Sequence, residues 1–261
     1  MPNTAIEILE RVPSTMDAAR ERIQRKIVQL EGEEPTPFAG VLTREQTAGR
    51  GQRGRVWNSR PNASLCATFY FRHGLDLPKE LGVVALLAGV AVAHALNAEA
   101  AARGVQADLG LKWPNDVLLN GKKVGGILVE TTRTPEGKTV ALIGIGINLS
   151  AGAFPAELAS TATTVETVGI AIADQTALTA KLAAALQEQA TLFRQEGLSG
   201  LMQRWRALDR TGGRHFHTER GNVRITGIAE GVDDNGRLLL RLPDQTFLAV
   251  ASASTLQERV S

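Results

Sequence analysis

Residues 49–61 read Gly-Arg-Gly-Gln-Arg-Gly-Arg-Val-Trp-Asn-Ser-Arg-Pro, and this stretch distinguishes between two fold classes. Its first six residues fit the Gly-x-Gly-x-x-Gly pattern of dinucleotide-binding proteins, and an apolar strand is predicted before it at 38–43. That pattern also requires a helix directly afterwards, because the helix N-terminus binds the pyrophosphate. A proline and a new predicted strand follow instead, so the sequence argues against a Rossmann fold. No P-loop sequence of the form Gly-x-x-x-x-Gly-Lys-Ser/Thr occurs in the chain.

The same loop carries three glycines and three arginines within seven residues, and Trp57 follows shortly after. Glycine lets backbone N–H groups come close to a ligand. Arginine presents a planar, permanently charged fork that matches phosphate and carboxylate oxygens. The composition therefore predicts a loop that closes over a small anion. A solvated surface loop is the alternative, but it does not account for the glycines and the tryptophan together.

The composition of the 261 residues suits one large domain with a small appendage. A net charge of +2 is too weak to predict general nucleic-acid binding, and aromatic residues amount to only 4%. The single cysteine, Cys66, cannot form an internal disulfide and is interpreted as a buried core residue, with a catalytic thiol as the alternative. No signal peptide is visible, and the apolar run 81–93 is shorter than the roughly 20 residues that span a bilayer. These features predict a cytoplasmic protein.

Strand and helix patterns alternate along the first 211 residues and predict an α+β fold. Strands are expected at 6–12, 38–43, 63–72, 109–113 and 140–148, and a hairpin is expected around Asn120-Gly121. Helices are expected from Ser14-Thr15 to about Leu30, at 78–103 and at 175–195, with a shorter helix beyond Gly197. The last 48 residues predict short strands at 222–229, 237–242 and 246–251. Two domains follow from this change of character, 1–211 and 212–261.

Three further motifs carry residues suited to ligand chemistry. Residues 112–116 read Lys-Trp-Pro-Asn-Asp, in which the proline holds the tryptophan out of the helical region and the lysine suits an anion that gains charge. Residues 121–130 read Gly-Lys-Lys-Val-Gly-Gly-Ile-Leu-Val-Glu, and the double glycine indicates close backbone approach by a ligand. The alternating glycines at 144 and 146 leave one strand face bare for a flat ring. Turn chemistry and tight strand packing are the structural alternatives for these motifs.

These four motifs, in this order, resemble the biotin protein ligase family (biotin–[acetyl-CoA-carboxylase] ligase). The matching residues are the loop from Gly49 to Trp57, the Lys-Trp-Pro-Asn-Asp sequence, Lys-x-x-Gly-Gly-Ile-Leu-x-Glu at 122–130 and Gly-x-Gly-x-Asn at 144–148, together with Ser14-Thr15 and Gln46. The resemblance implies a mixed β-sheet flanked by helices, of the class II synthetase-like type, and a small C-terminal SH3-like β-barrel. The chain reaches Ser14 too early to leave room for the N-terminal DNA-binding domain of some members, so the form without it is expected.

The resemblance implies a two-step, ATP-dependent reaction. Biotin and ATP give biotinyl-5′-AMP with the help of Mg²⁺, and a lysine of a biotin carboxyl carrier domain then takes the biotinyl group. No DNA or membrane partner is expected. The family often joins its sheets edge to edge, which makes a homodimer one option. A lipoate–protein ligase is the rival within the enzyme class, and a small nucleic-acid-binding module is the rival outside it.

The residues implied by the resemblance fall into two sets. The catalytic candidates are Lys112, Arg50 and Asp116. The ligand-binding candidates are Ser14, Thr15, Met16, Gln46, Gly49, Arg50, Gly51, Gln52, Arg53, Arg55, Trp57, Lys112, Asn115, Gly125, Gly126 and Asn148. No metal ligand is assigned.

Two positions depart from the family pattern. Met16 stands where the family often has asparagine, and Gln52 replaces the second arginine of the loop. That arginine helps relatives retain the activated intermediate, so weaker retention is expected here. The loop 46–57 is expected to be mobile when empty and to become ordered when ligand binds, because its glycines cost entropy to fix and its arginines repel one another.

Overall fold

The structure is a computed structural model that describes residues 5–25, 38–71, 80–220, 223–251 and 256–258. Its first sheet has seven strands: β1 (Ala5–Val12), β2 (Phe38–Gln46), β3 (Ser64–Phe71), β4 (Leu109–Lys112), β5 (Asp116–Leu119), β6 (Lys122–Arg133) and β7 (Thr139–Asn148). The spatial order is β1-β2-β3-β7-β6-β5-β4. The pair β1–β2 is parallel and the others are antiparallel, so the sheet is mixed, as predicted. The central position of β7 explains its nearly continuous apolar sequence.

Helix α1 (Thr15–Gln24) begins where the sequence predicts. The side chain of Ser14 accepts a hydrogen bond from the backbone N–H of Met16, which caps the helix. Asp17 lies in the first turn, where a negative charge is favourable. The predicted extension of this helix to about Leu30 falls outside the described residues beyond position 25.

Helix α2 (Leu81–Ala101) packs against the sheet and against α3 and is apolar on nearly all sides. It is the one helix of the described residues that is long and apolar enough to cross a membrane by length and composition. The sequence analysis considered only residues 81–93, whereas the helix has 21 residues. Most of the helix is buried inside the protein, which is the usual situation of a core helix.

Helix α3 (Gln175–Leu208) is interrupted at Gly197, whose φ of 67° and ψ of −160° are not helical. The two helices predicted on either side of this glycine are thus joined end to end. Asp174 caps the first of them through hydrogen bonds from the N–H groups of Thr176 and Ala177. Trp205 in the second part is 1% exposed and anchors it in the core.

The C-terminal part forms a five-stranded antiparallel sheet. Its strands are β8 (His215–Arg220), β9 (Val223–Val232), β10 (Leu238–Arg241), β11 (Phe247–Val250) and β12 (Leu256–Glu258), in the order β11-β10-β9-β8-β12. The three predicted strands correspond to β9, β10 and β11, whereas β8 and β12 were not predicted. Strand β8 reads His-Phe-His-Thr-Glu-Arg and β12 has three residues, so neither shows an apolar pattern.

Candidate active site

A cavity of about 270 Å³ lies beside strands β3, β6 and β7 of the large sheet. The predicted site residues that line it are Ser14, Thr15, Met16, Gln46, Arg50, Gly51, Gln52, Arg53, Arg55, Trp57, Lys112, Asn115, Asp116 and Gly126. Phe216 of β8 also lines it, so both parts of the chain contribute to its wall. Seven separate stretches of the sequence therefore meet in one place.

One end of the cavity carries a network of polar side chains. The Gln46 side-chain oxygen Oε1 accepts hydrogen bonds from the backbone N–H of Thr15 at 2.8 Å and from its hydroxyl at 3.1 Å. The Thr68 hydroxyl donates to Thr15 Oγ1 at 2.9 Å. Ser14 and Thr15 are almost fully buried. This network fixes the orientation of the polar groups before any ligand binds.

The cysteine of the chain lies at the same end of the cavity. Cys66 in β3 is 3% exposed, and burial raises the pKa of its thiol to about 12. The thiol therefore remains protonated at neutral pH, which removes the nucleophilic thiolate that a catalytic cysteine needs. The interpretation as a buried core residue fits this position.

The cavity lining also carries two lysines around one carboxylate. Lys112 Nζ lies 2.9 Å from Asp116 Oδ2, and Lys123 Nζ lies 2.5 Å from Asp116 Oδ1. Burial alone would raise the pKa of Asp116, but the two ammonium groups outweigh it and lower that pKa. The carboxylate is thus ionised at neutral pH, and this three-residue group keeps a net positive charge.

Lys123 is the charged residue of the site that sequence reasoning did not assign. Its neighbour Lys122 points away and donates a hydrogen bond to the backbone oxygen of Ala159 at the surface. Successive side chains of a strand point to opposite faces, so one of two adjacent lysines in β6 had to face the site. That alternation was the available signal. Lys123 Nζ also lies 5.8 Å from the centre of the Trp57 ring, within the range of a cation–π interaction.

Residues 49–57, here called the capping loop, form a short hairpin. The N–H of Gly51 donates to Arg55 O at 2.7 Å, and the N–H of Trp57 donates to Gly49 O at 2.9 Å. Gly49 itself contributes this backbone contact and does not belong to the cavity lining. The hairpin turns at Arg53, whose φ is 60°. The expected mobility of the empty loop stays a prediction.

The arginines of the capping loop differ in their surroundings. Arg50 forms a two-pronged ion pair with Asp17 of α1, with Nη–Oδ distances of 2.6 and 2.8 Å. Burial lowers the pKa of Arg53, and the nearby positive charge of Arg55 lowers it further. The proximity of Arg53 and Arg55 is an unfavourable arrangement of like charges that a bound phosphate would relieve.

The glycine-lined face of β7 packs against side chains of the protein itself. A Cβ atom added at Gly146 would lie 2.5 Å from Cζ2 of Trp57, and one added at Gly126 would lie 3.2 Å from Cζ3. At Gly144 the neighbour is the Met16 sulfur, 3.0 Å away. In this structure the Trp57 indole lies over Gly146 and the Met16 side chain lies over Gly144, so side chains of the protein fill the face on which the sequence predicts a flat ring.

Three predicted binding residues lie against backbone oxygens of the protein itself. Asn148 is buried, and its amide donates to Thr163 O at 3.1 Å. Asn115 lines the cavity, and its amide donates to Ile127 O at 2.7 Å. A Cβ atom at Gly125 would lie 2.9 Å from Gly146 O, so this glycine permits close strand packing outside the cavity lining. Their contact with a nucleotide stays a prediction.

The described residues do not offer a protein-held metal site. No group of three or more histidine, cysteine, aspartate or glutamate side chains lies together within them. Among the residues that line the cavity, Asp116 supplies the carboxylate, and both of its oxygens already contact lysines. The arrangement thus does not fit a magnesium ion coordinated by several carboxylates.

Sequence comparisons match two family models, one in each part of the chain. Residues 8–149 match the family described as "Biotin/lipoate A/B protein ligase family", and residues 211–260 match "Biotin protein ligase C terminal domain". The bifunctional ligase/repressor BirA of Salmonella typhimurium is 36% identical over 197 residues, which are 75% of this chain and 59% of that protein. The biotin–[acetyl-CoA-carboxylase] ligase of Paracoccus denitrificans is 36% identical over 211 residues, which are 78% of this chain and 85% of that protein.

Solved structures show the same fold. The biotin protein ligase of Aquifex aeolicus, in complex with biotin and ATP, superimposes with a TM-score of 0.76 at 24% identity and covers 98% of this chain and 99% of its own. The biotin protein ligase of Leishmania major, in complex with biotin, gives a TM-score of 0.61 at 26% identity over 97% of this chain and 100% of its own. From its sequence matches and its fold, the chain belongs to the biotin/lipoate A/B protein ligase family.

Proposed function

We propose that this chain is an ATP-dependent ligase that activates biotin as biotinyl-5′-AMP and transfers the biotinyl group to a lysine of a biotin carboxyl carrier domain. The observation that carries the proposal is the meeting of a fixed polar end, two lysines and the arginine-rich capping loop around one cavity. Relatives named as biotin ligases support the choice of acid. We further propose that residues 1–211 form the catalytic domain, that residues 212–261 form the C-terminal domain, and that the protein works in the cytoplasm.

The first step joins two anions and therefore needs positive charge. An oxygen of the biotin carboxylate attacks the α-phosphorus of ATP, and the bond from that phosphorus to the bridging oxygen of pyrophosphate breaks. We assign this charge to Lys112 and Lys123, whose ammonium groups lie on either side of Asp116 in the cavity lining and would neutralise the carboxylate and the α-phosphate. Arg53 and Arg55 of the capping loop suit the outer phosphates, since an anion relieves their mutual repulsion. A Mg²⁺ ion that enters with ATP would be held chiefly by the triphosphate.

The polar end of the cavity suits the ureido ring of biotin. That ring presents two N–H donors and one carbonyl acceptor, and Ser14, Thr15 and Gln46 offer hydroxyl and amide groups that complement them. The lining residues Met16, Ile127 and Leu128 provide apolar contacts for the bicycle and the chain. Recognition would thus combine a few oriented polar groups with apolar contacts from these three side chains.

In the second step a neutral lysine amine of the acceptor attacks the acyl carbon of the mixed anhydride. The new amide bond forms as the acyl carbon–oxygen bond to AMP breaks, and the amine loses a proton to solvent. The lowered pKa of Asp116 makes its carboxylate a weak base. Its contribution is therefore to orient the incoming amine and the two lysines.

Two measurements test the proposal. Purified protein is given ATP, Mg²⁺ and a biotin carboxyl carrier domain, with either biotin or lipoate, and the mass of the carrier domain is recorded. We expect a mass increase of one biotinyl group and biotin-dependent exchange of pyrophosphate into ATP. Modification with lipoate alone would favour the rival acyl ligase, and the absence of exchange with either acid would reject acyl-adenylate chemistry.

A further inference from the structure

Two acidic residues outside the cavity lining hold the first arginine of the capping loop. Asp17 in α1 accepts both Nη groups of Arg50, and Glu130 in β6 lies 3.8 Å from Arg50 Nη2. Glu130 ends the Gly-Gly-Ile-Leu-x-Glu motif and has no role in the chemistry described above. Two elements of the catalytic domain thus contact the loop at one residue.

Arg20 completes the cluster and fixes both acids. Its Nη1 lies 2.8 Å from Asp17 Oδ1, and its Nη2 lies 2.5 Å from Glu130 Oε2. Two guanidinium groups and two carboxylates therefore alternate and cancel in charge. Arg50 is consequently less available as a free cation for a ligand than Arg53 or Arg55.

The geometry favours attachment of the loop. A two-pronged arginine–carboxylate pair restricts both position and orientation, which a single contact does not. Hydrogen bonds from Arg50 lower the pKa of the Asp17 carboxyl, and the same contact raises the pKa of Arg50. Both groups remain charged throughout the physiological pH range.

We propose that Asp17 is a positioning residue that anchors the capping loop through Arg50 and thereby retains the acyl-adenylate in the cavity until the acceptor arrives. The identity of the retained molecule rests on the proposed function, whereas the anchoring of the loop does not.

The test compares three variants of the full chain. Asp17→Asn removes the charge with little change of shape, and Asp17→Glu keeps the charge. Glu21→Gln is the matched control, because Glu21 also lies on α1 and pairs with an arginine, Arg25, but does not contact the loop. Thermal unfolding of each variant establishes that it is folded.

Limited proteolysis measures how firmly the capping loop is attached, and it needs no ligand. Trypsin cleaves after arginine, and the capping loop contains Arg50, Arg53 and Arg55. We expect Asp17→Asn to be cleaved within the loop about two to five times faster than the unsubstituted chain, the range for a partly exposed ion pair. Asp17→Glu should return toward the original rate, and Glu21→Gln should equal it. Equal loop cleavage in Asp17→Asn and Glu21→Gln would overturn the proposal, as would an increase spread evenly over all tryptic sites.

The rate at which preformed biotinyl-AMP is released measures the retention of the acyl-adenylate. We expect Asp17→Asn to release it about two to five times faster while pyrophosphate exchange at saturating substrates changes by less than about twofold. Unchanged release would overturn the retention role. If the unsubstituted chain forms no biotinyl-AMP, the proposed function fails, and the cleavage rates alone then decide whether Asp17 anchors the loop.

Discussion

Two lysines on the strands that flank β5 share one aspartate and supply part of the positive charge of the cavity. Lys112 ends β4 and Lys123 lies in β6, and the pairing of β5 with both strands brings them to Asp116. The shared carboxylate keeps two like charges close together without a large repulsion. In the reaction proposed above, these two cations would act on the attacking carboxylate and the α-phosphate.

Replacing Lys123 tests this charge directly. Lys123→Ala removes one cation from the reacting groups, and we expect biotin-dependent pyrophosphate exchange to fall by about 100-fold or more, as when one charge-stabilising donor is lost. Lys112→Ala should behave similarly. Lys122→Ala is the control, because its side chain bonds to Ala159 at the surface, and it should retain the exchange rate. Near-normal exchange in Lys123→Ala would contradict the assigned role.

Local signals in the sequence predict single elements well. Asn120 and Gly121 adopt φ values of 50° and 76°, as a type I′ hairpin turn requires, and the predicted hairpin joins β5 to β6. Contacts between residues far apart in the sequence leave no such local signal. The ring of Trp57 lies on Gly146 because the capping loop folds back onto β7, and no local pattern indicates which ring fills a bare strand. For Lys123, strand alternation indicates only that one of the two adjacent lysines faces the site, and the contact with Asp116 on another strand identifies which one.

The close contact between Gly146 and Trp57 gives a prediction for the strand. Gly146→Ala places a methyl group against the indole, and we expect unfolding to become easier by about 1–3 kcal/mol, as for other overpacked sites. Gly212→Ala is the control, because no atom lies within 4 Å of its added Cβ. Urea denaturation followed by circular dichroism measures both. Equal stability of the two variants would show that the indole moves aside without cost.

The two parts of the molecule are joined through the Lys-Trp-Pro-Asn-Asp segment. The indole N–H of Trp113 donates to the backbone oxygen of Gly236 at 3.0 Å, and this bond crosses between the parts. Within the larger part, the backbone N–H of Trp113 donates to the Thr211 hydroxyl at 2.9 Å. Trp113 is 3% exposed, so these bonds are shielded from water. The segment that carries Lys112 and Asp116 is therefore positioned partly by the C-terminal sheet.

Trp113→Phe tests the connection between the two parts. The variant leaves the Gly236 carbonyl without its donor, and we expect a loss of about 1–3 kcal/mol beyond the effect of reduced volume. Trp205→Phe serves as the reference, because the Trp205 indole N–H has no hydrogen-bond partner within the described residues. The difference between their urea midpoints isolates the hydrogen bond. A smaller loss in Trp113→Phe than in Trp205→Phe would contradict the proposed connection.

Phe216 and Ser14 both line the cavity, although Ser14 lies near the N-terminus and Phe216 lies in the C-terminal sheet. During synthesis on the ribosome, the earlier residues emerge and begin to fold well before Phe216 is added. The nascent polypeptide accordingly lacks a complete binding chamber until translation has passed β8. Premature termination upstream of that strand would yield a fragment that retains the basic loop and both lysines yet has one side of its chamber open to water.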